Sequence, residues 1–347
     1  MKNNFYINLR TQYENLGDYL IAQATIDFLK DMGDITLDIN NVPESYLELF
    51  NIPENVTLTK RGLLSTLFFS KKRNWIYVLK PGGYTTSKST LYQIKLILIN
   101  LYLLLCKSFF NVKLFKMPHS YLGKMNIIEK LHQKLYDLII VRDKISLNNY
   151  NNHKIFNTIL AKDIASYYFN KKSKFNNLEE LERNNISISL RYDRNENEGD
   201  ISYKIANYLL NTEKLNKIIY VSQVTFDNKI NNKYSQKNNL KYTNYNISEY
   251  SIKEITKKYK SSKYIISNRL HSLLLAKING AIPIAIIDIN KDQKIIGSLD
   301  LLKIQWINKN DFMTKNFEEK LYLTINNNKT NVTYNEIDKK ILKKLIS

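Results

Sequence analysis

The feature that most constrains the fold of this chain is an alternation of short apolar runs with helical patterns, which occurs in both halves of the sequence. Residues 5–9 and Trp75–Leu79 are typical of buried strands, whereas residues 19–29 carry apolar side chains at helical spacing. The alternation starts again with a strand at residues 186–190 and continues to a helix at Leu270–Ile278. This order predicts parallel sheets that are covered by helices on both faces.

The same pattern predicts two doubly wound, Rossmann-like α/β domains, since 347 residues exceed the roughly 100–200 of one domain. We expect an N-terminal domain over residues 1–170, a C-terminal domain over residues 185–330 and a terminal helix over residues 335–347. Polar residues 170–177 are the candidate linker. In domains of this kind, ligands bind at the carboxyl ends of the strands.

The chain is strongly basic, with 52 Lys and Arg against 32 Asp and Glu and a net charge of +20. Such an excess favours polyanionic partners: nucleic acid, acidic lipid surfaces or phosphorylated substrates. Nucleic acid is not expected, because the sequence has no long basic block and no regular alternation of basic and aromatic residues. The single cysteine, Cys106, fits a reducing compartment, and no signal peptide is visible. We expect a cytoplasmic protein, with peripheral association at the inner face of the membrane as an open alternative.

The most apolar segment covers residues 94–110 and is interrupted by Lys95, Asn100 and Lys107. The uncharged run between the two lysines is shorter than the roughly 20 residues that cross a bilayer. The segment therefore predicts a buried helix, and a helix at a membrane interface is the alternative interpretation.

The strongest local feature is the stretch Ser267-Asn268-Arg269-Leu270-His271, where a buried strand ends and a helix begins. Free backbone N–H groups at a helix start favour an anion. The guanidinium of Arg269 suits a carboxylate or phosphate, and His271 can exchange a proton near neutral pH. The bland interpretation is a surface ion pair and a structural histidine.

Two glycine-containing turns and two strand-end arginines are further candidates. Asn15-Leu16-Gly17-Asp18 lies between a strand and a helix, where Asp18 can be a helix cap or a catalytic carboxylate. Gly82-Gly83 follows a strand and allows close approach of a ligand, although a plain turn explains it equally well. Arg191 and Arg142 end strands, and either can bind phosphate or form a structural pair.

Other common constellations are missing from the sequence. There is no phosphate-binding G-x-x-x-x-G-K-[ST] loop, no G-x-G-x-x-G fingerprint and no G-x-S-x-G elbow. The histidines lack the spacing of metal ligands. We therefore expect neither a metal nor a cofactor.

Taken in order, these motifs resemble the polysaccharide pyruvyltransferase family. The similarity covers roughly residues 5 to 315, and it rests on six elements: Asn15-x-Gly17-Asp18, Gly82-Gly83, Val141-Arg142-Asp143-Lys144-Ile145-Ser146, Asp163-Ile164-Ala165, Ile188-Ser189-Leu190-Arg191, and Ser267-Asn268-Arg269-Leu270-His271 with Gly280-Ala281-Ile282-Pro283 downstream. The sequence departs from the family pattern at Pro81, at Ile164 and around residues 119–124.

The resemblance implies two Rossmann-like domains of the glycosyltransferase-B type, with the acceptor on the N-terminal side and the donor on the C-terminal side. It also implies transfer of a pyruvyl group from phosphoenolpyruvate to two hydroxyls of a cell-surface or capsular glycan or its lipid-linked precursor, which gives a ketal. The expected catalytic residues are His271 and Asp18. The expected substrate-binding residues are Arg269, Arg191, Asn15, Gly17, Gly82, Gly83, Arg142 and Ser267.

We expect Arg191 and Arg269 to clamp the donor and His271 to act as general acid and base. One alternative is a nucleotide-sugar glycosyltransferase on the same scaffold, in which Asp288 or Asp292 would contact the ribose. A second alternative is a non-catalytic binding protein that kept the fold.

Overall fold

The computed structural model describes residues 2–87, 89–166, 183–193, 196–314 and 316–329. Of these, residues 2–11 and 20–166 form one compact unit (unit 1), and residues 12–19 and 183–329 form a second (unit 2). The sequence placed residues 12–19 in the N-terminal domain, but they cluster with unit 2. The proposed linker and the proposed terminal helix lie outside the described residues.

Unit 1 contains a parallel sheet of eight described strands. The strands are β1 (Asn3–Asn8), β2 (Gly33–Asp38), β3 (Val56–Thr59), β4 (Trp75–Leu79), β5 (Gly82–Thr85), β6 (Lys113–Leu122), β7 (Leu138–Val141) and β8 (Thr158–Leu160). The helices are α1 (Leu16–Leu29), of which residues 16–19 belong to unit 2, α2 (Glu44–Leu47), α3 (Leu63–Phe69), α4 (Thr90–Phe110), α5 (Ile127–Lys134) and α6 (Lys144–Asn152). The strand order is β3-β2-β1-β4-β6-β7-β8, and β5 pairs with the second half of β6.

Unit 2 contains a parallel sheet of six described strands. They are β9 (Asn185–Ser189), β10 (Lys217–Val221), β11 (Lys241–Thr243), β12 (Ser262–Ser267), β13 (Ile282–Ile287) and β14 (Trp306–Asn308). The helices are α7 (Glu196–Thr212), α8 (Asn228–Lys237), α9 (Glu249–Lys260), α10 (Leu270–Ile278), α11 (Gln293–Leu301) and α12 (Phe317–Lys329), and short 3-10 turns cover Thr225–Asp227 and Lys309–Met313. The order β11-β10-β9-β12-β13-β14 is that of a Rossmann domain.

Both sheets lie in the interior of their units because their strands are apolar on both faces. In β12 and β13 almost every residue is buried, because helices cover the sheet on either side. The core of unit 2 includes Ile188, Tyr264 and Ile284. The predicted class, two doubly wound α/β domains, is therefore confirmed.

The expectation that the apolar segment near residue 100 forms a buried helix is wrong. Helix α4 buries Leu96, Asn100, Leu103 and Cys106 against unit 1, but most of its other apolar side chains are exposed. It is also a helix long and apolar enough to cross a membrane, by length and composition only. The sequence pattern misled because an apolar run does not specify how many faces of a helix are covered.

Candidate active site

The candidate site of unit 2 lies where the strand order reverses. Strands β9 and β12 are neighbours, whereas the chain leaves β9 for β10 on the opposite side. Loops that leave two such strands diverge to opposite faces of the sheet, which opens a crevice at the carboxyl ends. Arg191 follows β9 and Arg269 follows β12, so the topology brings these two predicted residues to one edge.

The strand ends are fixed by the side chains of Ser267 and Asn268. The Ser267 hydroxyl donates to the Ser189 carbonyl oxygen (2.7 Å) and accepts from the Arg269 backbone N–H (3.0 Å). The Asn268 amide accepts from the Arg191 backbone N–H (3.1 Å) and donates to Glu198 (2.6 Å). Both side chains are buried, so they hold the backbone of the two arginines and are not exposed to a ligand.

Arg269 is held by a carboxylate that the sequence analysis did not identify. Asp227, in the 3-10 turn after β10, is fully buried and accepts from Arg269 Nη2 (2.6 Å) and from the Tyr192 backbone N–H (3.0 Å). Arg269 Nε also forms an ion pair with it. Burial raises the pKa of Asp227, and the Arg269 guanidinium opposes that rise. The only sequence signal for Asp227 is its position one loop after a buried strand, which many acidic residues share.

Arg191 is also paired, but with an exposed carboxylate. Its Nε and Nη2 donate to the two oxygens of Asp193 (2.9 and 2.7 Å). Burial opposes the charge of Arg191, but the carboxylates of Asp193, Asp292 and Asp227 outweigh it and raise the pKa. Both guanidinium groups of the predicted donor clamp therefore already contact carboxylates, the pairing that the sequence had left open for each of them.

His271 stands in the first turn of α10, directly against the Asn15-Leu16-Gly17-Asp18 segment. A side-chain carbon at Gly17 would collide with the His271 ring at Nδ1. The segment itself is attached to unit 2 by its backbone: the Leu16 N–H donates to the Gln223 carbonyl oxygen (2.9 Å), and the Thr225 N–H donates to that of Glu14 (3.1 Å). The absence of a side chain at Gly17 is thus what lets the imidazole lie on the start of α1.

The capping role that the sequence left open for Asp18 belongs to Asn15. The Asn15 side chain accepts from the Gly17 backbone N–H (2.9 Å), as an N-cap does. Asp18 is half-buried, with one carboxylate oxygen accepting from the Asn15 amide and the other from the Gln12 backbone N–H, both at 3.3 Å. The Asp18 carboxylate and the Asn15 amide therefore lie at the start of α1, against which the His271 imidazole of α10 is packed.

Three of the predicted site residues belong to unit 1, and they differ in character. Arg142 is buried, donates from Nε to the Ser120 hydroxyl (3.0 Å) and forms an ion pair with Asp163. Two motifs of the sequence thus bind each other. Gly82 and Gly83 do not form the turn that the sequence suggested, because they are the first residues of strand β5. A side-chain carbon at Gly82 would meet open space.

A second polar cluster of unit 2 surrounds Lys309. Its ammonium contacts Asp288 (2.6 Å) and Glu198 (3.7 Å). The hydrogen bond from Lys309 to Asp288 lowers the pKa of the Asp288 carboxyl group. A cavity of about 520 Å³ lies beside it, lined among others by Lys204, Lys309 and Phe312. Within the described residues, no group of three or more His, Cys, Asp or Glu side chains is placed to hold a metal ion.

Solved structures that resemble this chain in fold include UDP-GlcNAc 2-epimerases. UDP-GlcNAc 2-epimerase from Methanocaldococcus jannaschii aligns at a TM-score of 0.56 with 12% identity, over 99% of both chains. The Neisseria meningitidis enzyme bound to UDP-GlcNAc gives 0.55 and 12% over 100% of both chains, and S. aureus MnaA with UDP gives 0.54 and 11% over 97% of this chain and 93% of that one. At such identities the likeness concerns the fold alone. The chain therefore has the predicted glycosyltransferase-B type of fold, two Rossmann-like domains.

The sequence itself specifies the family more narrowly. The family model of polysaccharide pyruvyl transferase matches residues 15–287. The chain therefore belongs to the polysaccharide pyruvyl transferase family, as the motifs predicted, and it is a transferase of polysaccharide synthesis. No curated protein sequence matches the chain.

Proposed function

We propose that this transferase moves the pyruvyl group of phosphoenolpyruvate onto two hydroxyls of a cell-surface glycan or its lipid-linked precursor, as a ketal. The observation that carries the proposal is the convergence of a guanidinium and an imidazole at the start of α10. Asp227 orients Arg269, and the bare backbone of Gly17 receives His271. Family membership supports pyruvyl transfer, and the site supplies groups suited to a small anion.

The ion pairs of Arg269 and Arg191 limit which of their N–H groups can bind the donor. Arg269 uses Nε and Nη2 for Asp227, so its Nη1 edge is the one that a carboxylate or phosphate would approach. The pair between Arg191 and Asp193 is more exposed, and exposed pairs contribute only about 0–1 kcal/mol. A doubly charged donor can therefore displace Asp193 from Arg191, whereas Asp227 stays bound to Arg269.

In the proposed reaction His271 moves protons, which requires a group within hydrogen-bond reach of the donor. Protonation of the donor methylene carbon makes C2 electrophilic. One sugar hydroxyl adds to C2 and loses its proton, and the C2–O bond to phosphate breaks. The second hydroxyl then closes the ketal and loses its proton, so that one phosphoenolpyruvate and one diol give one ketal and one inorganic phosphate. Asp18 is the candidate base for an acceptor hydroxyl.

Binding of the donor can be tested without knowing the acceptor. We expect phosphoenolpyruvate to raise the melting temperature of the wild type, and expect Arg269→Ala and Arg191→Ala to abolish the rise. Arg73→Ala, an exposed arginine of unit 1, is the control and should respond as the wild type does. UDP-, GDP- and CMP-sugars serve as competitors. A rise with one of these and none with phosphoenolpyruvate would replace the proposal by a nucleotide-sugar glycosyltransferase.

The structure gives one argument against that alternative. Its ribose contact was expected from Asp288 or Asp292. The Asp288 carboxylate instead contacts the Lys309 ammonium, and Asp292 accepts from the Asp288 backbone N–H (3.1 Å). A ribose would have to displace Lys309 from a short ion pair.

A further inference from the structure

Helix α4 exposes a continuous apolar stripe on the surface of unit 1. Its members recur every three or four residues, the spacing that places side chains on one face of a helix. They are Leu91, Ile94, Leu98, Leu101, Leu105 and Phe109. Leu98 is 61% exposed and Phe109 is 76% exposed, so most of the surface of these side chains lies outside the core. An apolar surface of this length on a folded domain calls for a covering partner.

The end of α3 extends this stripe. Phe68 and Phe69 are both more than 70% exposed, and the Phe68 ring packs edge-on against Phe110 at a centroid distance of 4.9 Å. The Arg61 guanidinium lies over the Phe69 ring at 5.0 Å. We call the α4 stripe together with Phe68 and Phe69 the apolar patch.

The stretch of sequence that contains the apolar patch carries charges of one sign. Residues 55–128, which include α3 and α4, contain twelve Lys and Arg and no Asp or Glu. Exposed basic side chains flank the patch in the sequence, at residues 71–73 after α3, at Lys95 on α4 and at Lys113 after it. Two of the basic residues reach carboxylates elsewhere in unit 1: Lys72 contacts Asp34, and Lys107 contacts Asp137.

We propose that the apolar patch docks the protein onto the surface of a bilayer that contains anionic lipids. Apolar side chains beside basic ones are the composition of a helix that lies in the membrane interface. The basic flanks match anionic headgroups, and each such residue near the surface adds to the attraction. Two copies of the patch facing each other would bring the same basic flanks together, which disfavours a second copy as the partner.

The contacts of the opposite face determine how the helix meets the lipid. The Asn100 amide oxygen accepts from His132 Nδ1 (2.6 Å), the Tyr102 hydroxyl accepts from the Leu64 N–H (3.2 Å), and Lys107 donates to the Leu135 carbonyl oxygen (2.9 Å). These bonds fix α4 to α3 and α5 within unit 1. A helix held in this way cannot be surrounded by lipid, so it lies along the surface and does not cross the bilayer.

Flotation with vesicles tests this proposal. The wild type should float with vesicles that contain phosphatidylglycerol and much less with pure phosphatidylcholine. Leu98→Glu/Leu105→Glu should weaken binding about tenfold or more, because it places two carboxylates on the inserted face. Leu323→Glu, a half-exposed leucine of unit 2, is the matched control and should bind as the wild type does. Lys71→Gln/Arg73→Gln should lower binding to anionic vesicles alone.

Three results would overturn the proposal. The wild type could stay unbound with anionic vesicles, or the double glutamate variant could bind equally well. The wild type could also sediment as a dimer that the double variant turns into a monomer, in which case a second copy covers the patch. Melting curves of each variant, and Leu98→Glu alone as a milder change, separate these results from misfolding. Donor binding is not involved, so the test stands whether or not phosphoenolpyruvate is the donor.

Discussion

The two units each contain a buried aspartate paired with an arginine of a sequence motif, yet the two pairs differ in their surroundings. In unit 1 Arg142 and Asp163 are both buried, and Ser120 takes a further guanidinium N–H. In unit 2 Asp227 is buried, but Arg269 is partly exposed and lies two residues before half-exposed His271. The first pair is closed within a core, whereas the second presents its remaining donors at the end of a sheet. The same pair of residue types therefore predicts different consequences of mutation in the two units.

The largest expected effect is on catalysis, at His271. His271→Gln keeps the size of the side chain but removes the titrating group. We expect turnover of phosphoenolpyruvate to fall about 10²–10⁴-fold, the usual contribution of general acid–base catalysis, with donor affinity and melting temperature little changed. Phosphate release in the presence of acceptor glycan measures the turnover. The variant His153→Gln, in unit 1, is the control. Release at the wild-type rate would remove His271 from the mechanism.

The second expected effect is on stability, in unit 1. Arg142→Ala leaves the Asp163 carboxylate buried opposite an empty space. Loss of one partner of a buried pair costs about 3–5 kcal/mol of unfolding free energy, which urea titration measures. Asp193→Asn, in the exposed pair of unit 2, should cost less than about 1 kcal/mol. Similar costs for both would show that burial does not distinguish the two pairs.

The third prediction compares two glycines of the sequence motifs. Gly17→Ala puts a methyl group into the His271 ring, whereas Gly82→Ala puts one into open space. Inserting a methyl group into a filled position costs about 1–3 kcal/mol, so we expect Gly17→Ala to displace the imidazole and reduce turnover at least tenfold. Gly82→Ala should leave melting temperature near the wild-type value. If Gly82→Ala alone abolished turnover, β5 would belong to the active site.

The smallest expected effect concerns pH and the buried lysine of unit 1. The Lys116 ammonium contacts Gln133 (2.9 Å) and lies over the Tyr84 ring (4.4 Å), and burial lowers its pKa to about 7 from 10.5. Between these two values the unfolded chain holds more protons at this site than the folded chain does. Rising pH therefore favours the folded state there, and the cost of burying the charge is greatest below pH 7.

Replacement of this lysine isolates its contribution. The difference in unfolding free energy between Lys116→Met and the wild type should shift in favour of the wild type as pH rises from about 7 to 9. The slope should not exceed about 1.4 kcal/mol per pH unit. Lys60→Met, an exposed lysine of unit 1, should show no such slope. A difference that is constant with pH would mean that Lys116 is charged in the folded protein throughout this range.

Much of the fold followed from the sequence because apolar periodicity indicates which segments form strands and helices. Strand β4 and helix α10 have the predicted bounds, since each is an apolar run with clear ends. Short or polar elements such as β3, β11 and α8 carry no such run and were not predicted. The candidate site motif was predicted for a related reason: Arg and His directly after a buried strand, where a helix begins, are unusual by themselves.

What the tertiary structure decided is the partner of each motif residue. The sequence could not indicate that Asp227 would hold Arg269, that Arg142 would meet Asp163, or that Gly17 would receive His271, because these residues are 21 or more positions apart. Contacts across such separations depend on strand order, which local periodicity does not contain. The exposure of α4 has the same origin, since an apolar helix is identical in sequence whether one face or every face is covered.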